Sequence, residues 1–140
     1  MSGDDSGTAA DRAAVVRQWF VVAERDVRAS HACLDAPAPV PVVAAYLCQQ
    51  AVEKLLKGLL VLADVRFGKT HDLEALRDLA LPRYPDLILA IDGLVPLTPW
   101  VHTYRYPGMG HDLVPSVDEL RVVLSAIEAF AARAAGSAPI

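Results

Sequence analysis

Residues 41 to about 63 are apolar almost all the way round a helical wheel. Val43, Tyr46, Val52, Leu55, Leu56, Leu59, Leu60 and Leu62 leave only a thin stripe of Gln50, Lys54 and Lys57. A helix of this kind has to be enclosed by other elements on nearly every side. It cannot be enclosed by lipid, because Glu53, Lys54 and Lys57 interrupt it and no run reaches the roughly 20 apolar residues that a membrane span needs. Glu53 and Lys57 stand in the favourable i,i+4 order, yet such a pair, if exposed, contributes only about 0.3–0.5 kcal/mol, so packing must hold the helix. The segment predicts the central helix of a protein with no membrane contact.

The rest of the chain supplies the surround. Between residues 11 and about 34, Val16, Trp19, Phe20, Ala23, Val27 and Leu34 recur at three- and four-residue steps, with Arg17, Glu24, Arg25 and Arg28 on the other face. Pro37, Pro39 and Pro41 then make a stiff connector, since each lacks a helix donor and biases its predecessor to extended geometry. Thr70 is a candidate N-cap for a short third helix with Asp72 and Glu74 in its first turn. Pro82 and Pro85 interrupt that helix, and residues 86 to about 97 form a further one carrying Leu87, Leu89, Ile91 and Leu94. Ser116 and Glu119 make a capping box for the last helix, whose apolar face is Leu120, Val123, Leu124, Ile127, Phe130 and Ala131. No strand-like alternation and no repeat is visible. The prediction is an all-α, up-and-down antiparallel four-helix bundle with a short extra helix, formed by residues 11–136 between tails at 1–10 and 137–140.

Composition narrows what the bundle meets. With 140 residues and 54% hydrophobic content, apolar surface is expected to remain after one chain folds, and a second copy in a homodimer is the usual cover. The first ten residues carry Asp4 and Asp5 with Gly and Ser and lack the pattern of a secretion signal, so a cytoplasmic location is expected. Cys33 and Cys48 have neither zinc-knuckle nor disulfide-framework spacing and read as buried reduced thiols. At a formal net charge of −4, any grip on nucleic acid must come from a few local cations rather than a broad basic face. No metal site and no cofactor is expected.

Several polar features could carry chemistry, each with a plainer reading beside it. The stripe on the central helix can be a solvated or inter-helix face, and His71 and Asp72 can satisfy a turn. A helical metal phosphohydrolase is poorly imitated by His31, His71, Asp72 and Asp112, which lack further ligands. Arg105 and His111 are separated by five residues that include Pro107, Gly108 and Gly110, which can bend the backbone and bring both side chains to one cleft. That pair suffices for metal-free RNA cleavage: the histidine moves the 2′-hydroxyl proton, and the guanidinium stabilises charge developing on the phosphate. The plainer reading is a surface loop.

The helix bearing Gln49-Gln50-Ala51 and Glu53-Lys54 with Lys57, the later His71-Asp72-Leu73, and Arg105-Tyr106-Pro107-Gly108 before a final helix together resemble the HEPN domain family. The resemblance implies a four- or five-helix bundle, a homodimer, and frequent pairing with a small nucleotidyltransferase that acts as an antitoxin. It also implies a metal-independent ribonuclease site in which an arginine precedes a histidine by the spacing of Arg105 and His111. Active members commonly carry a polar residue after that arginine, where this chain has Tyr106. The alternative is a non-catalytic module binding nucleotide or protein. Either way, Gln50, Glu53, Lys54, Lys57, His71, Asp72, Tyr104 and Tyr106 are the candidate nucleotide- or partner-binding residues, with the stripe on the central helix structural or partner-facing rather than catalytic.

Overall fold

The computed structural model describes residues 5–100 and 114–137. Among the described residues there are five α-helices and no strand: α1 (Asp5–Asp35), α2 (Pro41–Leu62), α3 (Leu73–Ala80), α4 (Ile88–Leu94) and α5 (Val117–Gly136). The all-helical bundle expected from periodicity is present. α2 touches α1, α3 and α5, and its residues from Leu55 to Leu60 are all buried, as a helix apolar on nearly every side requires.

Contacts along α1 and α2 run in opposite order, which fixes the pair as antiparallel. Ser30 donates to the Ala44 carbonyl at 2.9 Å, Asp26 meets Lys54, Trp19 lies by Lys57, and Arg12 reaches Asp64. α5 is antiparallel to α1 as well, since His31 meets Glu128 and Asp35 meets Arg121. Small residues let α1 and α2 approach closely: Ala44, Cys48 and Ala51 are wholly buried, and a Cβ at Gly58 would stand 2.6 Å from the Phe20 ring.

Several local expectations shift. α1 begins at Asp5 rather than near residue 11, because the intervening sequence contains no proline and its acidic start suits a helix N-terminus. The helix expected over residues 86–97 is shorter. Pro85 and Pro96 convert its two ends to 3₁₀ turns at Pro85–Leu87 and Val95–Leu97, leaving α4 between them with Leu89 pointing into solvent. Asp72, not Thr70, caps α3: its carboxylate accepts from the Glu74 N–H at 3.0 Å, while the Thr70 hydroxyl accepts from the Asp72 N–H. Ser116 caps α5 as expected, accepting from the Glu119 N–H at 3.1 Å. Cys48 is buried, and burial pushes its thiol from 9.0 up to about 11, whereas Cys33 is only partly covered.

The tight α1/α2 contact yields a direct expectation. Alanine is a better helix former than glycine by about 1 kcal/mol, but at position 58 its methyl would have to displace the Phe20 ring and the Trp19 Cβ, 3.1 Å away. Overpacking of this kind costs roughly 1–3 kcal/mol. Gly58→Ala should therefore lower stability in urea unfolding, and Gly58→Ala combined with Phe20→Leu should recover part of the loss.

Candidate functional site

The polar stripe of α2 is one row of a helix, Gln49, Glu53 and Lys57 at four-residue steps, with Gln50 and Lys54 beside it. Tertiary packing turns the row inward. Gln49 is fully buried, Gln50, Glu53 and Lys57 are nearly so, and Lys54 is half-buried. The stripe is an inter-helix face rather than a solvated one.

Glu53 is the hub. Its Oε2 accepts from the Lys57 ammonium at 3.1 Å, and its Oε1 accepts from Gln49 Nε2 at 3.3 Å and is bonded to His71 Nδ1 at 2.7 Å. Gln49 Nε2 also donates to the His71 carbonyl at 3.1 Å, and Gln50 donates to the Gln49 side-chain oxygen at 2.7 Å. Both the turn and the ring of His71 are thus held from α2. A buried carboxylate and ammonium are each costly to desolvate, and the cost is offset only where geometry and further hydrogen bonds are good. Here they are: no buried side-chain N or O among the described residues lacks a partner.

The cation of the pair has a second stabiliser. Lys57 Nζ stands 5.9 Å from the Trp19 ring centroid and 5.8 Å from that of Phe67, and the two rings meet edge to face. A desolvated cation over an aromatic face gains up to about 2 kcal/mol. Lys54 is spent differently, on Asp26 of α1 at 2.5 Å. The signal for Gln49 was its four-residue step from Glu53, whereas nothing local in the sequence marks Trp19, Phe67 or Asp26 as partners of these lysines.

His71 departs from the rest of the cluster in exposure: its side chain is 51% exposed, against 5% for Glu53 and 10% for Lys57. Next to it, Asp72 serves as the cap of α3, and the Leu73 N–H donates to the Thr98 hydroxyl at 3.0 Å. Thr98 lies three residues before the segment that bears Tyr104, Arg105, Tyr106 and His111. Those four residues lie outside the described ones, and so does Asp112. Before that segment Thr98 is held to the start of α3, and after it Ser116 caps α5. His31 and His71 are each committed to a different carboxylate, Glu128 and Glu53, and no three His, Cys, Asp or Glu side chains among the described residues gather as a metal site. Among the same residues no helix is long and apolar enough to cross a membrane.

A family model described as "HEPN domain" matches residues 16–134. No curated protein and no solved structure matches the chain significantly.

Removing one member of the buried pair should be far worse than replacing both. Glu53→Ala leaves the Lys57 ammonium without its carboxylate and should cost about 3–5 kcal/mol, read from urea unfolding. The double replacement Glu53→Leu with Lys57→Met fills the same volume without charge and should return most of that stability.

Proposed function

Because the chain belongs to the HEPN domain family, we propose that it is a metal-independent, cytoplasmic RNA endonuclease that acts as a homodimer and is held in check by a small nucleotidyltransferase partner. The observation that carries this reading is the spacing of Arg105 and His111 inside the matched span, between α4 and α5. RNA supplies its own nucleophile, so the chemistry needs no metal-bound water. The Arg105 guanidinium clamps the scissile phosphate, and His111 takes part in proton transfer as the 2′-oxygen attacks phosphorus and the 5′-oxygen departs. The product is a 2′,3′-cyclic phosphate. In this reading Tyr104 serves as a stacking face for a base.

Support for the dimer comes from the surface. Leu89 on α4 is 88% exposed and Val122 on α5 is 71% exposed, and a shallow depression beside Leu89 is lined by Gly93, Ala126 and Ala129. Large apolar side chains left on one face favour a second copy as their cover. Two copies would also pair two Arg/His sets, which helps an acidic chain hold a polyanion.

A second reading has its own observation. Tyr106 and Pro107 follow Arg105 where a polar residue is common, which favours a module that binds nucleotide or protein without cutting. Of the residues expected to bind a nucleotide or partner, Gln50, Glu53 and Lys57 are consumed by internal bonds and Lys54 by Asp26, so among the described residues His71 and Asp72 are the ones with exposed area to offer.

Two measurements test the proposal. Single-stranded RNA in excess chelator should be cut by the wild type and DNA left intact, with His111→Ala slowed by roughly 10²–10⁴-fold and Arg105→Ala also impaired. Cleavage that requires a divalent metal would overturn the mechanism, and an RNA-binding wild type that never cuts would establish the second reading. Sedimentation should show a dimer at micromolar concentration, shifted to monomer by Leu89→Glu with Val122→Glu.

A further inference from the structure

Between α3 and α4 the chain runs beside the C-terminal end of α5 and leaves a cleft of about 360 Å³. Arg83, Tyr84 and Asp86 line one side, and Arg133 and Ser137 line the other. Two guanidiniums thus converge on one opening in a chain whose formal net charge is −4. Among the described residues neither has an ion-pair partner. Asp86 shares the cleft but its carboxylate pairs with neither of them, so two positive charges stand against one negative.

The walls are held in place by bonds to the main chain. Arg133 Nη2 donates to the Asp86 carbonyl at 2.7 Å, which ties the guanidinium to the opposite wall and uses one of its five N–H donors. The Ser137 hydroxyl donates to the Arg133 carbonyl at 3.3 Å and closes the helix end beneath it. Tyr84 is anchored from behind, its hydroxyl donating to the Leu59 carbonyl at 2.7 Å. Burial raises the Tyr84 phenol above its usual range and the Arg83 charge draws it back, so that charge stands close to the Tyr84 wall.

A cation in the last turn of α5 suits the helix dipole, which is the plainer reading of Arg133. It does not account for a second cation meeting it across the cleft. Like charges repel there, and the arrangement becomes favourable when one anion accepts from both. A carboxylate has two oxygens in one plane and matches a single guanidinium fork. A phosphoryl group presents its oxygens in a tetrahedron and can accept from two forks set at different angles.

We propose that the cleft between Arg83 and Arg133 is a phosphate-binding site, taking either a terminal phosphate or the phosphodiester of a strand laid across it. Its volume lies in the range of small-molecule sites and leaves room for the group that carries the phosphate. The site needs neither Arg105 nor His111, so failure of the ribonuclease reading would leave it standing.

Inorganic phosphate titrated into the full chain at constant ionic strength, and followed by NMR of the arginine Nε–H resonances, should shift Arg83 and Arg133 together. Arg25, an exposed arginine of α1, should stay in place. Arg83→Ala should weaken phosphate binding by on the order of ten- to a hundred-fold, the loss expected for charge-assisted hydrogen bonds, and Arg25→Ala should leave it unchanged. Two further probes separate the sources. A single-stranded DNA oligonucleotide without terminal phosphates that displaces inorganic phosphate from the two arginines identifies a strand as the ligand, whereas displacement by a 5′-mononucleotide alone identifies a terminal phosphate. Phosphate that moves neither guanidinium would overturn the proposal. Equal weakening by Arg83→Ala and Arg25→Ala would overturn it as well, because net charge alone would then explain the binding.

Discussion

A single buried carboxylate organises this molecule. Glu53 sits on the most enclosed helix, and it is bonded to α2 itself through Gln49 and Lys57 and to the following loop through His71. Desolvating a carboxylate is unfavourable by several kcal/mol, so the position is tenable only while every one of these partners stays in place. The loop after α2, the start of α3 and the aromatic slot of Trp19 and Phe67 are consequently fixed to each other through one side chain. The Lys57 ammonium completes the arrangement, since it neutralises Glu53 and is itself lodged between two rings.

The aromatic slot around Lys57 depends in turn on the close approach of α1 and α2. Small residues at 44, 48, 51 and 58 remove the bulk that would hold the helices apart, and Ser30 uses the proximity to bond the backbone of the neighbouring helix. Trp19 is brought over Lys57 by the same contact. Packing in the apolar part of the interface and polar satisfaction in its other part are therefore two consequences of one spacing. α4, bracketed by 3₁₀ turns, is held on the other side of the bundle against α5 and leaves Leu89 uncovered.

The functional logic follows from this division of labour. Residues that look like a reactive stripe when written along α2 are mostly spent on holding the bundle together. His71 is the outward end of the network. Thr98, three residues before the segment that bears Arg105 and His111, is tied to the first turn of α3.

Periodicity by itself determined the helical class, the enclosure of α2, the last helix with its Ser116 cap, and the breaks at the prolines, because these depend on interactions within a few residues of one another. The motifs of α2, His71 and Arg105/His111 were enough to indicate the family. Distance along the chain hid the rest. Whether Lys54 and Lys57 face water or protein is decided by packing against α1, and the choice of Asp26 for Lys54, of Trp19 and Phe67 for Lys57, and of Glu128 for His31 joins residues far apart in sequence. Asp72 rather than Thr70 became the cap of α3 once Thr98 took the Leu73 N–H and Gln49 took the His71 carbonyl, which set where the helix could start. A stripe of polar letters determined that something must be satisfied there, and only the tertiary structure decided by what, since burial makes a polar group's partner obligatory without naming it.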